Sequence, residues 1–501
     1  MSDVIKPIVG IAAIVFAPTL APMLLSGVGI AATAGAVAVA TAGVVLVGAS
    51  LVGSSTSDSM ASAVDIASVE GYAGAKLQTN KSNIAPVPEI YGEHKIGGNI
   101  IWQDTTAYLN TNNTTNGYNR DYWSINVIAG HELEAINNIY AGETTMTARG
   151  GNKYTTEYVM VEYYEYSTSA RNVNSINWVK NNLGNVETGN NLGLPSITIP
   201  ANVAFLAVHQ VFDGENTKNT ALEAITVKMQ GKKIRTITNA TTIASSTSYS
   251  TNPAEILLDL LTTGLDIADA DIDIATFYQA KTDCSNAGFT CDIALIQQAN
   301  IQSIISDVLA TCRGNIFHSE SKWKFKIDTK SQSLADTLTS DDVLGNSLTI
   351  SMAGSATIAN KVILKYIDPS DEYLSKESVK EDTTLQTYDG QVVTKILDAK
   401  GVDSAAQADK LCEIALNSLR YSEDASGNRV KQTPLAISFA TSVKNAHLEV
   451  GDVIELNHTL LDRVRKFLLL STMTDQSGVV QISAREYAET HFKNSSGSYL
   501  I

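Results

Sequence analysis

A few stretches of the chain carry residues whose types and spacing could do chemistry. "GHELEA", Gly130 to Ala135, opens like the helix of a zinc protease, in which two histidines four positions apart hold the metal and the Glu is the base. The second histidine is replaced by Ala135, so His131 and Glu132 are expected at a loop or strand end. "DADID" sets Asp269, Asp271 and Asp273 at alternate positions, as a calcium loop does. The loop's sixth and twelfth positions would be Ile274 and Ala280, where Gly and a bidentate Glu are required. Those acids are therefore expected at a solvated helix start, with Asp271 or Asp273 as N-cap. The cysteines Cys284, Cys291, Cys312 and Cys412 are too few for a disulfide-built fold. Cys284 and Cys291 bracket "CSNAGFTC"; free thiols in a reducing cytoplasm are the expectation, a bridge across that loop the alternative. The histidines have no ligand spacing, and there is no P-loop, dinucleotide fingerprint or nucleophile elbow. No catalytic, cofactor-binding or metal-ligating residue is nominated, and the expectation is a protein that is not an enzyme.

The elements around these residues are those of a scaffold. The chain has 501 residues, enough for several cores, and its 44% hydrophobic and 18% charged content is globular. A net charge of −16 argues against a surface that grips nucleic acid, but suits a wall along which DNA slides without sticking.

No charge occurs between Lys6 and Asp58, a stretch dense in Ala, Gly and Val. It has room for two membrane passes of about 20 residues each. Pro18 and Pro22 would kink its first half. It is too long for a cleaved signal peptide. At ~25 cal/mol per Å² of apolar area, two such helices cannot stay wet, so residues 7–57 need a partner: lipid, copies of themselves or another chain.

Beyond Asp58, strand-like runs alternate with Asn/Thr/Ser-rich stretches. "YVMVEYYEY" (158–166), "VAFLAVHQVF" (203–212) and "EAITVKMQG" (223–231) read as strands, residues 104–121 as an exposed loop, and 236–252 as a linker. "NPAEILLDLLTTG" has an Asn252 cap, Pro253 at the first helical position and a stop at Gly264. Residues 302–314 form an amphipathic helix ending at Gly314, and 403–423 the strongest helix. Strands are expected at 321–328 and 360–369, then in "PLAISFA", "VGDVIELN", "RKFLLLSTM" and "VVQISAREY". The class is a β-rich α+β chain of several units.

The order of these pieces resembles the hub portion of the lambda-type tail tip attachment protein family, related in architecture to contractile-tail baseplate hubs. "PVPEIYGEHKIGGNIIW" (86–102) looks like that family's early proline, Tyr-Gly and Gly-Gly segment. "SINVIAGHELEAINNIYAGE" (124–143) is similar to its strand-turn-strand unit, and 252–280 to its helix pair. Residues 289–328 resemble its helix-strand unit, and "ANKVILKYIDP" (359–369) its strand ending in Asp-Pro. "DSAAQADKLCEIALNSLRY" (403–421) and "HLEVGDVIELN" (447–457) resemble its later helix and Gly-Asp strand start, with the order kept to about Glu486.

The resemblance implies a homotrimer closing the distal end of a phage tail tube. Its partners would be the distal tail ring or tube protein, a tape-measure protein, other tail tip and receptor-binding proteins, and genomic DNA in passage. The implied layout is an apolar helical segment 1–57, a first hub β-domain in parts 58–145 and 201–250, and a β segment 146–200 inserted in it. An α+β domain 251–345 and a second tube-like β-barrel domain 346–501 with helix 403–423 complete it. The protein would be made in the host cytoplasm and end in the virion. Long family members continue into a receptor-binding end, so receptor binding is expected on another chain. Residues 7–57 would plug the lumen or enter the host membrane when DNA is released. Two rivals stand beside this: a membrane-anchored surface or secretion component with 7–57 as a helical hairpin, and a peptidoglycan-degrading tail enzyme, for which the sequence offers no paired carboxylates.

Overall fold

The computed structural model describes residues 86–109, 115–156, 159–173, 197–212, 222–330, 332–352, 358–494 and 496–501. The expectations for residues 7–57 lie outside them. Among the described residues no helix is long and apolar enough to cross a membrane.

The first β-unit comprises β1 (Glu89–Tyr91), β2 (Glu93–Ile96), β3 (Asn99–Leu109), β4 (Thr115–Ala129), β5 (Leu133–Ala141), β6 (Thr144–Thr145), β7 (Thr147–Gly150), β8 (Lys153–Thr155), β9 (Val159–Ser167), β10 (Arg171–Val173), β11 (Ile197–Ile199), β12 (Val203–Phe212), β13 (Ile225–Asn239) and β14 (Thr242–Tyr249). One sheet runs β3-β4-β12-β9-β8-β7 and a second β14-β13-β5-β6, with β2 also on β13; β10 pairs with β11. Strand β12 shows why the apolar run there is continuous. Ala204, Leu206 and Val208 pack into the core between the sheets, while Val203, Phe205 and Ala207 fill a second cluster on the opposite face with Trp123 and Ile199. Tyr164 stacks on Phe205 at 4.7 Å.

Two expectations fail here. Residues 104–109 and 115–121 are strand, because β3 and β4 extend into them as an antiparallel pair. Residues 236–252 are not a linker but the end of β13 and the whole of β14, turning where Asn239 Oδ1 accepts from Thr241 N at 2.9 Å. Both misreadings have one cause. Thr is β-branched and suits a pleated strand, although its polarity makes a Thr-rich run look like a loop.

The central unit holds α1 (Pro253–Asp259), α2 (Ile274–Ala287), β15 (Ile293–Leu295), α3 (Ile301–Cys312), β16 (Gly314–Ser319) and β17 (Lys322–Ile327). The Asn252 side chain caps α1 as expected, and a π turn carries the helix on to Gly264. Helix α3 ends one residue before the expected glycine, on Arg313 in the left-handed region with φ 58°.

The last part runs β18 (Leu334–Thr339), β19 (Thr349–Ser351), β20 (Lys361–Asp368), β21 (Leu374–Glu381), α4 (Thr383–Asp389), β22 (Thr394–Asp398), α5 (Ala405–Arg420), β23 (Ser422–Glu423), β24 (Arg429–Val430), β25 (Ala436–Ser442), β26 (Val453–Asn457), β27 (Arg465–Thr474) and β28 (Val479–Glu486). One sheet is β18-β26-β27-β28-β25-β19, another β21-β20-β22. The six-stranded sheet covers a core of Ile437, Phe439, Ile454, Phe467 and Ile482. Its end strands β18 and β19 are not paired with each other, and the first unit's sheets also have free ends. The tube-like barrels expected from the resemblance are therefore open sheets among the described residues.

One apolar cluster ties these parts together. It gathers Tyr91, Ile234 and Ile237 from the first unit, Leu257, Phe277, Val308 and Phe325 from the centre, and Val362, Leu364, Leu411 and Leu416 from β20 and α5. Within the first unit β13 runs close to β1 at Gly231, whose N–H donates to Gly92 O at 2.7 Å. A Cβ there would lie 2.2 Å from Ile90 O, which is backbone and cannot rotate away. Gly231→Ala should destabilise the chain by about 1–3 kcal/mol, seen as a lowered urea midpoint with unchanged slope. An unchanged midpoint would show that β1 and β13 tolerate separation.

Candidate functional site

The residues with chemical potential are mostly held for structural work. His131 precedes β5; its Nε2 accepts from Ile90 N at 2.9 Å, so the proton is on Nδ1, 3.1 Å from Glu132 O. Burial holds this imidazole below the ordinary histidine range. Glu132 meets Lys233 at 2.9 Å. Asp273 is the N-cap of α2, accepting from Thr276 N at 3.2 Å, and Asp269 takes a two-pronged bond from Arg235 at 2.7 and 2.8 Å. All four cysteines are free and buried. Cys284 lies against Cys312, and that neighbour, then burial, pushes its thiol far up. Burial does the same at Cys291, and lifts Cys412 to about 11. Among the described residues no group of three or more His, Cys, Asp or Glu could hold a metal ion.

An open cleft of about 490 Å³ lies between the turn after β18 and the loop joining β26 to β27, lined by Ser340, Asp341, His458, Thr459, Asp462 and Arg463 among others. Its polar groups serve the backbone. Ser340 Oγ accepts from Thr459 N at 3.3 Å, and His458 Nδ1 from Leu460 N at 3.1 Å. Partial burial pushes the Asp462 carboxyl up, but Arg465 and Arg463 outweigh it and hold it low. Serine, histidine and aspartate are present without the mutual bonds a nucleophile needs.

The strongest electrostatic constructions are joints between elements. Lys232 Nζ, on β13, donates to Glu89 Oε1 at 2.7 Å and Asp259 Oδ2 at 2.6 Å, and Tyr91 OH donates to Asp259 Oδ2 at 2.8 Å. Burial alone would pull this ammonium down; Glu89 and Asp259 more than offset it. Asp328, just after β17, accepts from Arg313 at 2.5 Å and also from Arg485 of β28. Both Asp328 and Arg313 are almost fully buried. Arg465 of β27 donates to Glu486 of β28 at 2.6 Å, and Glu486 also accepts from Leu435 N at 2.9 Å. None of these joints has a local signature, because Asp328 lies 15 residues from Arg313 and 157 from Arg485.

The three-stranded sheet presents an exposed face. The sheet β21-β20-β22 turns Val362, Leu364 and Tyr366 toward α5. Its other face is fixed by register. Val379, Ile363 and Ile396 line up across the strands, as do Glu381, Lys361 and Thr394 on one side and Glu377, Lys365 and Asp398 on the other. Val379 is 43% exposed and Ile396 56%. The result is an apolar row between two rows whose middle-strand lysines face edge-strand carboxylates. The alternation of "KVILK" and "TKILD" would have shown it, had the partner strands been known.

Comparison with known proteins adds two findings. Residues 300–470 match the model of a family described as "Putative phage tail protein". A chain of "Virion of native gene transfer agent (GTA) particle" shares the fold, with TM-score 0.57 and 13% identity over 83% of this chain and 88% of that one. A tail protein from Neisseria meningitidis MC58 (TM-score 0.26, 8% identity, 77% of this chain and 97% of that one) is too distant in shape to carry an argument. So is prophage tail protein gp18 from Listeria monocytogenes EGD-e (0.27, 7%, 79% and 90%). No curated protein matches the chain. The family match and the shared fold support a structural role in a phage tail.

Burial would push the Asp328 carboxyl up, but Arg485 and Arg313 hold it below the ordinary carboxylate range. Its folded value is thus depressed. Its contribution is present above the unfolded value of about 4 and is lost as pH falls through the folded one. Asp328→Asn should cost about 3–5 kcal/mol at pH 7, since two arginines are left facing each other. In urea titrations the deficit should shrink below about pH 4. A variant as stable as wild type at pH 7 would show that Asp328 does not hold β17 to β28.

Proposed function

We propose that the chain is a non-catalytic subunit of a phage tail, the trimeric hub that closes the distal end of the tail tube. The observation that carries this is the coincidence of two independent matches: a family model for phage tail proteins and a fold shared with a virion chain. The ordered resemblance from Pro86 to Glu486 supports the hub and the trimer. The chemistry agrees. Reactive side chains are spent on caps and joints, and the net charge of −16 suits a passage for DNA that must not bind it. The partners proposed are sister copies, the distal ring or tube protein, a tape-measure chain, other tail tip and receptor-binding proteins, and DNA in transit. Residues 7–57 are proposed to line the lumen or enter the host membrane at DNA release. The same apolar stretch favours one second reading, a membrane-anchored component, which would fractionate with membranes when expressed alone.

The outer face of β21-β20-β22 is the surface proposed to meet the neighbouring subunit. An apolar row framed by charges suits an interface core with a polar rim. The purified chain should have three times the 53.5 kDa mass of one copy, and imaged particles should carry it at the tail's end. Ile396→Glu, at an exposed position, should leave folding within about 0.5 kcal/mol of wild type while reducing trimer and tail incorporation at least tenfold. A folded variant that assembles normally removes this face from the interface. A stable monomer with no place in a tail removes the hub.

A further inference from the structure

The turn joining β20 to β21, residues 369–373, reaches beyond its own sheet to strand β2 of the first β-unit. Its base is fixed within the hairpin. Asp368 Oδ1 accepts from Ser370 N at 2.8 Å, and Tyr373 N donates to Asp368 O at 3.0 Å. Across the hairpin, Lys376 Nζ lies 2.6 Å from Asp368 and 3.3 Å from Asp371. The tip meets the first unit at two side chains. Glu372 pairs with Lys95, and the Tyr373 ring packs on the His94 ring with centroids 5.0 Å apart and planes tilted by 32°. His94 and Lys95 are both buried.

Closing this contact carries two costs. Glu372 and Tyr373 are consecutive non-glycine residues in the left-handed region, with φ 53° and 59°, and each is strained there. Tyr373 is 3% exposed, and its buried hydroxyl has no hydrogen-bond partner among the described residues, so the bond it would make with water is given up. The gains are of similar size. The Glu372 side chain is 63% exposed, so its ion pair with Lys95 is worth little and its carboxylate returns to water easily. Lys95 is not stranded when Glu372 leaves, because its Nζ lies 4.2 Å over the Tyr140 ring and keeps that contact. The joint at Asp328 is built differently. There the carboxylate and the Arg313 guanidinium are both buried, and parting them leaves a naked charge. Small gains set against small costs are the condition for a segment with two positions of similar free energy.

We propose that the tip of the β20–β21 turn is a salt-released latch, closed on Lys95 and His94 of the first β-unit and opening while the rest of the chain stays folded. The latch is independent of the tail reading. Ionic strength acts on it through Glu372, whose exposure leaves the pair open to screening. Opening relaxes the two left-handed residues, wets the Tyr373 hydroxyl and uncovers the Lys95 amine. The Asp368 and Lys376 contacts keep the hairpin intact, so only the tip moves.

The test is acetylation of lysine amines on the full chain at fixed pH, read by peptide mass spectrometry as the rate at Lys95 relative to that at Lys444, whose side chain is 74% exposed. Between about 0.1 M and about 1 M salt the wild-type ratio should rise about threefold. Amide-exchange protection of β25 to β28 should stay level over the same range. Glu372→Gln should show the raised ratio already at low salt and lose the salt dependence. Tyr373→Phe leaves every charge in place and deletes only the unpaired hydroxyl, so it should tighten the latch and lower the ratio about fivefold. A salt-independent wild-type ratio, a Tyr373→Phe ratio equal to or above wild type, or protection lost in β25 to β28 in step with Lys95 would overturn the latch. The wild-type salt profile decides it even where a variant fails to fold.

Discussion

The rest of the structure depends on the burial of one shared apolar core. Helices α1 to α3 have no sheet of their own large enough to cover them, since β16 and β17 make only a two-stranded hairpin. Phe277 and Phe325 pack tilted at 5.5 Å in the middle, but the cluster is completed by Tyr91 and Ile234 from one side and by Leu364 and Leu411 from the other. Removing either neighbour would expose buried aliphatic side chains worth about 1.5–3 kcal/mol each. The units that look separable along the sequence therefore stabilise one another. A part that must bear load between neighbours gains from such a core, because force entering one sheet reaches the other through close-packed atoms.

Apolar contact alone does not fix how the units are turned relative to one another, and the buried charges supply what it lacks. Lys232 requires Glu89, Asp259 and Tyr91 to arrive together, which sets β1, β13 and α1 at one relative position. Asp328 does the same for Arg313 and Arg485. Buried ion pairs contribute little net stability, because desolvation offsets most of the attraction, but misplacing one partner leaves a naked charge. Arg313 shows how far this goes: a non-glycine residue accepts the left-handed conformation at the end of α3, where its guanidinium reaches Asp328. Here the joints act as registers and the core as the adhesive.

This division explains what was legible in the sequence. Local rules found the cap at Asn252, narrowed that of α2 to Asp271 or Asp273, and found the helices α3 and α5 and the C-terminal strands, because each is set by neighbours a few residues away. They missed the strands through 104–121 and 236–252, where Thr and Ser hide extended backbone. They also missed the open ends of the sheets, since closure depends on whether β18 reaches β19, which no local pattern encodes. His131, expected at a loop or strand end, lies in the bend between β4 and β5, and the "DADID" acids lie at a helix start. The residues that do carry electrostatic work, Lys232, Asp328 and Arg485, were invisible because their partners come from distant parts of the chain.

The symmetry of the exposed sheet face limits what it can meet. Consider two copies face to face about a two-fold axis lying in the interface. An axis along the strands sets Lys365 against its own copy and Glu377 against Asp398; an axis along the apolar row sets Lys361 against Lys365 and Glu381 against Glu377. Either way like charges oppose each other around the buried row, which is destabilising at cross-sheet distances and grows as water is excluded. The face therefore disfavours an isologous pair about either of these axes. A head-to-tail contact with a different surface carries no such conflict, and closed rings are built from contacts of that kind. A two-fold dimer through this face about either axis meets the conflict, and a head-to-tail contact escapes it.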